Sequence, residues 1–419
     1  MKLKLHWQVL IAMFLGAVVG VVFQLIYKTN PSGWLYTLII SLGTIFIRLL
    51  RMVIVPLIFT SIVSGVSSVG KGKNIGRLGL KTFFYYMITS IFAILIGLML
   101  TNLIQPGYGA NIPVTNDFSP EDLKTPGSPG QILIRMIPLN PIKAASTGDM
   151  LGIIFFSIFL GVVLTKVKPQ TQDFLKKFFD SSFEVMMKIT EFVIKLLPIG
   201  VFGLIVKAVS TAGFDLFKAV GKYMLTIGAG LSIHLIIILP LIFYLFTRIN
   251  PIYHFKAMAS TMITAFSTSS SNATLPLTMR SIEKNVGVSN KISSFVLPLG
   301  ATVNMDGTAL YECAGVIFIS QVLGLHLGFA QQFIVVLTAL LASIGCAGIP
   351  SAGLVVIFIV TQAVGFKDVD VGVIIGTMLA VDRPLDMFRT MVNVFSDSVG
   401  TTIIAKSEGE TNLYPELKK

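Results

Sequence analysis

Several uninterrupted apolar stretches in this chain reach or exceed the roughly 20 residues that an α-helix needs to cross a bilayer. Of its 419 residues 54% are hydrophobic and only 12% are charged, against about 25% charged in soluble domains. The runs are continuous rather than alternating, which argues against an outer-membrane barrel. The expectation is an all-α polytopic protein of the cell's inner (plasma) membrane. The net charge of +12 sits in short loops and at segment ends, as at Lys71, Lys73 and Arg77 or Lys166 and Lys168. That pattern reads as positive-inside topology and contact with anionic lipid rather than nucleic-acid binding. The start, MKLKLHW, leads directly into an apolar run and reads as a retained first helix. Neither the two cysteines, Cys313 and Cys346, nor the four scattered histidines show a metal spacing; helix ends and interfacial positions account for the histidines.

One segment breaks the apolar pattern. AVDRPLDMFRTMVNVFSDS, Ala380 to Ser398, carries Asp382, Arg383, Asp386, Arg389, Thr390, Asn393 and Asp397. On a helix, Asp382, Asp386, Arg389, Thr390, Asn393 and Asp397 fall within an arc of about 100°. Met387, Met391, Val394 and Phe395 point elsewhere. Ionisable groups inside a membrane are costly, so this stripe faces a protein-lined, partly hydrated cavity built for a charged guest. A soluble amphipathic helix would look similar, but the surrounding chain is too apolar for that reading.

In chain order, residues 1–70 hold two apolar helices, the second a long segment from Trp34 to Val69 with Arg48, Arg51 and Pro56 and expected to tilt or kink. Lys71 to Lys81 reads as a basic loop before a span to Ile104 within 71–104. Residues 105–130 are a polar extracellular linker. Residues 131–215 read as short helices, the amphipathic piece KPQTQDFLKKFFD and a span from Phe183 to Val209. A span from Ala219 to Thr247 begins the region 216–406, and 407–419 is a tail.

After Asn250 two apolar segments are interrupted by small and polar residues: TAFSTSSSNATLPLT and ALLASIGCAGIPSAGLVVI. Each side of either break is too short to span alone. Paired interrupted segments point to a transporter binding site formed by inverted repeats, because non-helical backbone at membrane depth survives only inside protein or beside water. They are expected to be re-entrant helical hairpins, at about 251–285 and 330–362. Between them, LPLGATVNMDGTALYE places Asn304, Asp306 and Thr308 around Gly307, where a helix at about 290–325 is expected to unwind. The oxygen ligands there suit a small hard cation such as sodium. A last helix runs from about 368 to 406.

The motifs NMDGTALYE and DMFRTMVNV, with both hairpins in their order and spacing, make the chain resemble the glutamate transporter family, the dicarboxylate/amino acid:cation symporters, over nearly its whole length. The resemblance implies eight transmembrane helices plus two re-entrant hairpins and an elevator-type homotrimer. Helices 1–2 and 4–5 would be scaffold, and helix 3 and residues 216–406 the moving core. It implies a substrate site at Arg389 (side-chain carboxylate), Asp386 (ammonium), Thr390, Asn393 and Thr308, with Ser270, Ser271, Ile349 and Gly353 of the hairpin tips at the α-carboxylate. Sodium would be held by Asp397 with Gly300, Asn304 and Asn393. A second set would be Asp306, Asn304, Thr89, Ser90 and Tyr86. A third would be Thr302, Met305, Ser343, Ile344 and Cys346.

Two departures matter. Where some archaeal relatives carry a hairpin arginine this chain has Ser269, and where mammalian excitatory amino acid transporters carry a second arginine it has Met387. Arg383, one turn earlier, is expected to supply that charge, although Pro384 should kink the helix. Glu312 stands where sodium-only archaeal relatives have glutamine and proton-coupled mammalian members have glutamate. Apolar surroundings favour the protonated form of a carboxyl, so proton cotransport through Glu312 is expected, and potassium countertransport beyond it. The implied function is sodium-coupled symport of glutamate or aspartate. The alternatives are a C4-dicarboxylate carrier, a neutral amino acid exchanger, a channel, or an intramembrane enzyme using Ser269, Ser270 or Ser271.

Overall fold

The computed structural model of the chain describes residues 5–27, 31–67, 73–110, 134, 136–147, 149–212, 215–343, 352–366 and 368–414. Every regular element among them is helical. The helices are α1 (Leu5–Tyr27), α2 (Trp34–Ser67), α3 (Lys73–Ile104), α4 (Pro141–Thr147), α5 (Met150–Leu164), α6 (Pro169–Lys195), α7 (Leu197–Ala212) and α8 (Asp215–Ile233). A π-helical turn, His234–Ile238, joins α8 to α9 (Leu239–Thr247). Then follow α10 (Pro251–Thr268), α11 (Ser271–Ser281), α12 (Asn290–Val303), α13 (Asp306–Val322), α14 (Phe329–Ser343), α15 (Ala352–Val364) and α16 (Asp368–Ser407).

By length and composition, Arg77–Ile104 and Lys218–Thr247 are each able to cross a membrane; α6 and α7, bent by 51° at Leu196, form a third candidate. Most of the residues expected in the basic loop 71–81 are helical: α3 starts at Lys73. The expected span from Phe183 to Val209 is broken at Leu196, and the amphipathic piece before it is the start of α6 rather than a separate element. Pro198 follows the break: it has no N–H to give to the Ile194 carbonyl and its ring clashes with that carbonyl, so α6 does not run on unbroken. Most of the polar linker, 111–130, lies outside the described residues.

The first hairpin forms for local reasons. The Asn250 side chain accepts from the Ile252 N–H at 3.0 Å, and Pro251 opens α10, a position where its missing N–H costs nothing. The helix ends at Ser269, in the left-handed region with φ 51°. Ser270 then caps α11, accepting from the Ala273 N–H at 3.2 Å. In the second interrupted segment α14 and α15 flank the break, and its tip, with Ile344, Cys346 and Ile349, lies outside the described residues. The expected unwinding between α12 and α13 occurs at Asn304 and Met305, one step before the aspartate; Gly307 itself is helical. α16 runs on through Pro384 for 40 residues, roughly 60 Å.

α1 packs on α7, and α2 packs on α5, α6 and α7. α13 is the centre, packed against α3, α8, α14, α15 and α16, and every residue from Asp306 to Val322 is buried. α10 and α12 lie along α16. The polar stripe of α16 is therefore enclosed by protein: Asp382, Asp386, Arg389, Thr390, Asn393 and Asp397 are all buried.

Candidate functional site

Arg389 organises the first of two polar clusters. Its Nη2 donates to Asp386 Oδ1 at 2.8 Å and to Asp382 Oδ1 at 3.1 Å. These carboxylates lie three and seven residues earlier on the same helix, so helical spacing alone brings them together. The guanidinium carbon lies 3.7 Å from the centre of the Tyr311 ring on α13, a cation–π contact. A Cβ on Gly353, near the start of α15, would lie 3.2 Å from Arg389 Nη1, so the second hairpin approaches the guanidinium closely. Arg389 Nε and Nη1 have no hydrogen-bond partner among the described residues, although the side chain is only 1% exposed. Buried donors in that state are rare and costly, and each is available to an anionic oxygen as a charge-assisted hydrogen bond. Arg383 Nη1 reaches Asp386 Oδ2 at 3.5 Å, in line with its expected lean on this group.

The second cluster lies at the break between α12 and α13. Asp306 Oδ1 accepts from the Ser90 hydroxyl at 2.7 Å, and its Oδ2 accepts from the Ser396 hydroxyl at 2.7 Å. His234 Nε2 is 3.1 Å from the same Oδ2. Asn304 Nδ2 donates to Asp397 Oδ1 at 2.9 Å and to Ser396 Oγ at 3.1 Å. The Asn304 Oδ1 is buried and unpartnered among the described residues. Tyr86 donates to the Val296 carbonyl at 2.9 Å. Gly300 is required here, because a Cβ would lie 2.5 Å from both Asp397 Oδ1 and the Tyr86 hydroxyl.

Asn393 and Met305 link the clusters. Asn393 Oδ1 accepts from the Gly307 N–H at 2.8 Å, and its Nδ2 donates to Thr308 Oγ1 at 3.2 Å and meets Met305 Sδ at 3.3 Å. Asn304 and Met305 are the two non-helical residues of the break.

Other sequence candidates fall differently. The hydroxyls of Thr89, Thr302, Ser343 and Thr390 donate to carbonyls of their own helices. Ser270 caps α11 and Ser271 is buried beside it. Glu312 is fully buried, and neither carboxyl oxygen has a partner among the described residues.

Tyr311, Ser396 and His234 escaped the sequence reading of the site. Ser396 lies beside the α16 stripe and was legible in principle. His234 was not, and helix-end or interfacial readings fail for it. His254 is likewise buried, hydrogen-bonded to Tyr414 and Ser398.

The sequence model of the "Sodium:dicarboxylate symporter family" matches residues 5–407. Excitatory amino acid transporter 3 of Mus musculus is 35% identical, covering 96% of this chain and 86% of that protein. The proton/sodium-glutamate symport protein of Bacillus caldotenax is 34% identical, covering 98% and 96%. The proton/glutamate-aspartate symporter of Escherichia coli (strain K12) is 34% identical, covering 97% and 93%.

Proposed function

Since the chain belongs to the sodium:dicarboxylate symporter family, and is thus a multi-pass plasma-membrane transporter and not an enzyme, we propose that it carries glutamate or aspartate into the cell together with sodium. The carrying observation is the buried Arg389 fork, with Nε and Nη1 unpartnered among the described residues and the Asp386 carboxylate at its side. Guanidinium and carboxylate side by side complement a substrate with both a carboxylate and an ammonium. The relatives' names support the same substrate class.

In this reading Arg389 pairs with the side-chain carboxylate of the substrate and Asp386 turns to its ammonium. Asn393, Thr308 and Thr390 align it, with Ser270, Ser271 and Gly353 at the α-carboxylate. Sodium, as co-substrate, is held by Asp397 with Asn304 and Gly300, and by Asp306 with Ser90, Asn304 and Tyr86. Asn304 bonds directly to Asp397, and Met305 touches Asn393. An ion that draws these groups together therefore biases the substrate cluster, and that differential affinity is the coupling. Movement as an elevator within a homotrimer belongs to the same proposal.

Proton cotransport through Glu312 is supported by its two buried carboxyl oxygens, unpartnered among the described residues; potassium countertransport rests on the resemblance. A C4-dicarboxylate substrate would bring no ammonium to the Asp386 carboxylate, which bonds Arg389 as it stands. Uptake of labelled aspartate, glutamate and succinate into proteoliposomes, under sodium gradients with internal potassium and pH varied, tests the reading. Sodium-independent uptake, or preference for succinate, sinks it. Replacement Arg383→Ala is expected to weaken substrate affinity; unchanged affinity and rate would remove Arg383 from the site.

A further inference from the structure

Residues 408–414 leave α16 and bond across its end to three other parts of the chain. Glu408 accepts from Arg77 and, at 2.6 Å, from Lys81 Nζ, both near the start of α3. Glu410 accepts from the N–H of Ser289, at 3.1 Å, and from its hydroxyl. Ser289 is the N-cap residue of α12. The Tyr414 N–H donates to the Val286 carbonyl at 2.7 Å, and Leu413 and Tyr414 are buried.

The Tyr414 hydroxyl lies 2.6 Å from His254 Nδ1 on α10, and His254 Nε2 lies 2.8 Å from Ser398 Oγ on α16. The direction of this relay follows from Ser398, whose hydroxyl proton is given to the Phe395 carbonyl at 2.7 Å. Ser398 Oγ therefore accepts from His254 Nε2–H. Nδ1 of the neutral ring then accepts from the Tyr414 O–H. The imidazole also stacks on Phe243, at 5.1 Å between ring centres, and meets Phe395 at 5.2 Å. The relay ends one residue from Asp397.

The candidate sodium ligands come from the same elements: Tyr86 and Ser90 from α3, Gly300 and Asn304 from α12 or its end, and Asp397 from α16. Ion sites demand ligand placement to within about 0.5 Å, and these ligands stand on separate helices. We propose that Tyr414 and His254 are positioning residues for sodium binding, and that residues 408–414 form a clasp holding α3, α10, α12 and α16 in register. The proposal rests on the sodium-coupled reading above.

The test uses the full chain in proteoliposomes, with aspartate uptake measured against sodium concentration. Tyr414→Phe keeps the ring and leaves Nδ1 without its donor; His254→Leu removes both bonds. Each is expected to raise the sodium half-saturation about five- to tenfold while Vmax at saturating sodium is retained, as for loss of one buried hydrogen bond in Tyr414→Phe and two in His254→Leu. His254→Gln, which keeps an amide donor for Ser398, is expected to restore most of the affinity. An unchanged half-saturation, or a fall in Vmax alone, overturns the proposal. Amide hydrogen exchange of purified wild type and Tyr414→Phe gives an independent reading. The variant is expected to exchange faster at 252–258 and 395–399, and equal exchange there overturns the clasp. Should wild type itself show no sodium-driven uptake, the functional reading fails first, and the exchange result decides the clasp by itself.

Discussion

α1 and α13 invert the arrangement of a soluble protein. α1 carries no Asp, Glu, Lys or Arg from Leu5 to Tyr27, yet Phe14, Leu15, Val18, Leu25 and Ile26 are exposed. α13 carries Asp306, Glu312 and Gln321, yet no residue of it is exposed. In a bilayer the surrounding solvent is itself apolar, so greasiness does not drive a helix inward. What sorts helices is the need of polar groups for partners or a hydrated cavity. The outer helix is therefore the plainer one, and the chemistry lies inside.

The sharpest way to break this contrast is Arg389→Ala, which removes the buried cation that Asp382 and Asp386 share. Breaking a buried pair costs about 3–5 kcal/mol, and uptake of acidic amino acids is expected to fall by more than about a hundredfold. Uptake within threefold of wild type would show that Arg389 is not in the site. Next is Gly300→Ala, whose methyl would crowd Asp397 Oδ1 and the Tyr86 hydroxyl. Overpacking costs about 1–3 kcal/mol, and the sodium half-saturation is expected to rise roughly tenfold; an unchanged sodium titration would put the ion elsewhere. Glu312→Gln keeps shape and burial but cannot titrate, so the pH dependence of uptake is expected to flatten while uptake at a fixed favourable pH persists. A preserved profile would assign the proton elsewhere.

A smaller effect concerns the clasp. The hydrogen bond from Lys81, with that from Arg77, holds the Glu408 carboxyl below its ordinary value. A depressed acid stabilises the fold above its unfolded pKa, and that contribution is lost as pH falls through the folded value. Exchange at 408–414 is thus expected to be constant from pH 5 to 8, once corrected for intrinsic rates, and to rise only below about pH 4.5. The same rise in Glu408→Gln would acquit this group. Smallest of all is Phe14→Ala on the outward face of α1, for which thermal stability is expected to move by less than about 0.5 kcal/mol. A larger shift would mean that this face meets protein.

Much of the candidate site is legible in the sequence, because it is written in local spacing. The stripe from Asp382 to Asp397 follows helical periodicity, the serine-rich hairpin follows caps and small residues, and the break beside Asp306 follows the polar cluster in an apolar run. Its position was off by a step, since Gly307 tolerates helix and Asn304 supplies the extended backbone. The beginning of α3 at Lys73 and the break at Leu196 were misplaced because charge and local apolarity say little about where a helix starts. His234 and Asp306 are 72 residues apart, and His254 and Tyr414 are 160 apart. No periodic signal spans such distances.

By itself, the order of residues determined a helical membrane chain, two interrupted segments and one charged helical face, since each depends on the peptide's own geometry and on its transfer into lipid. Only the packed structure decided that Tyr311 stacks on Arg389, that a histidine stands against Asp306, and that Tyr414 bonds back to His254 on α10. Those outcomes depend on which helices become neighbours, and a buried polar group takes its partner from whatever neighbour supplies one.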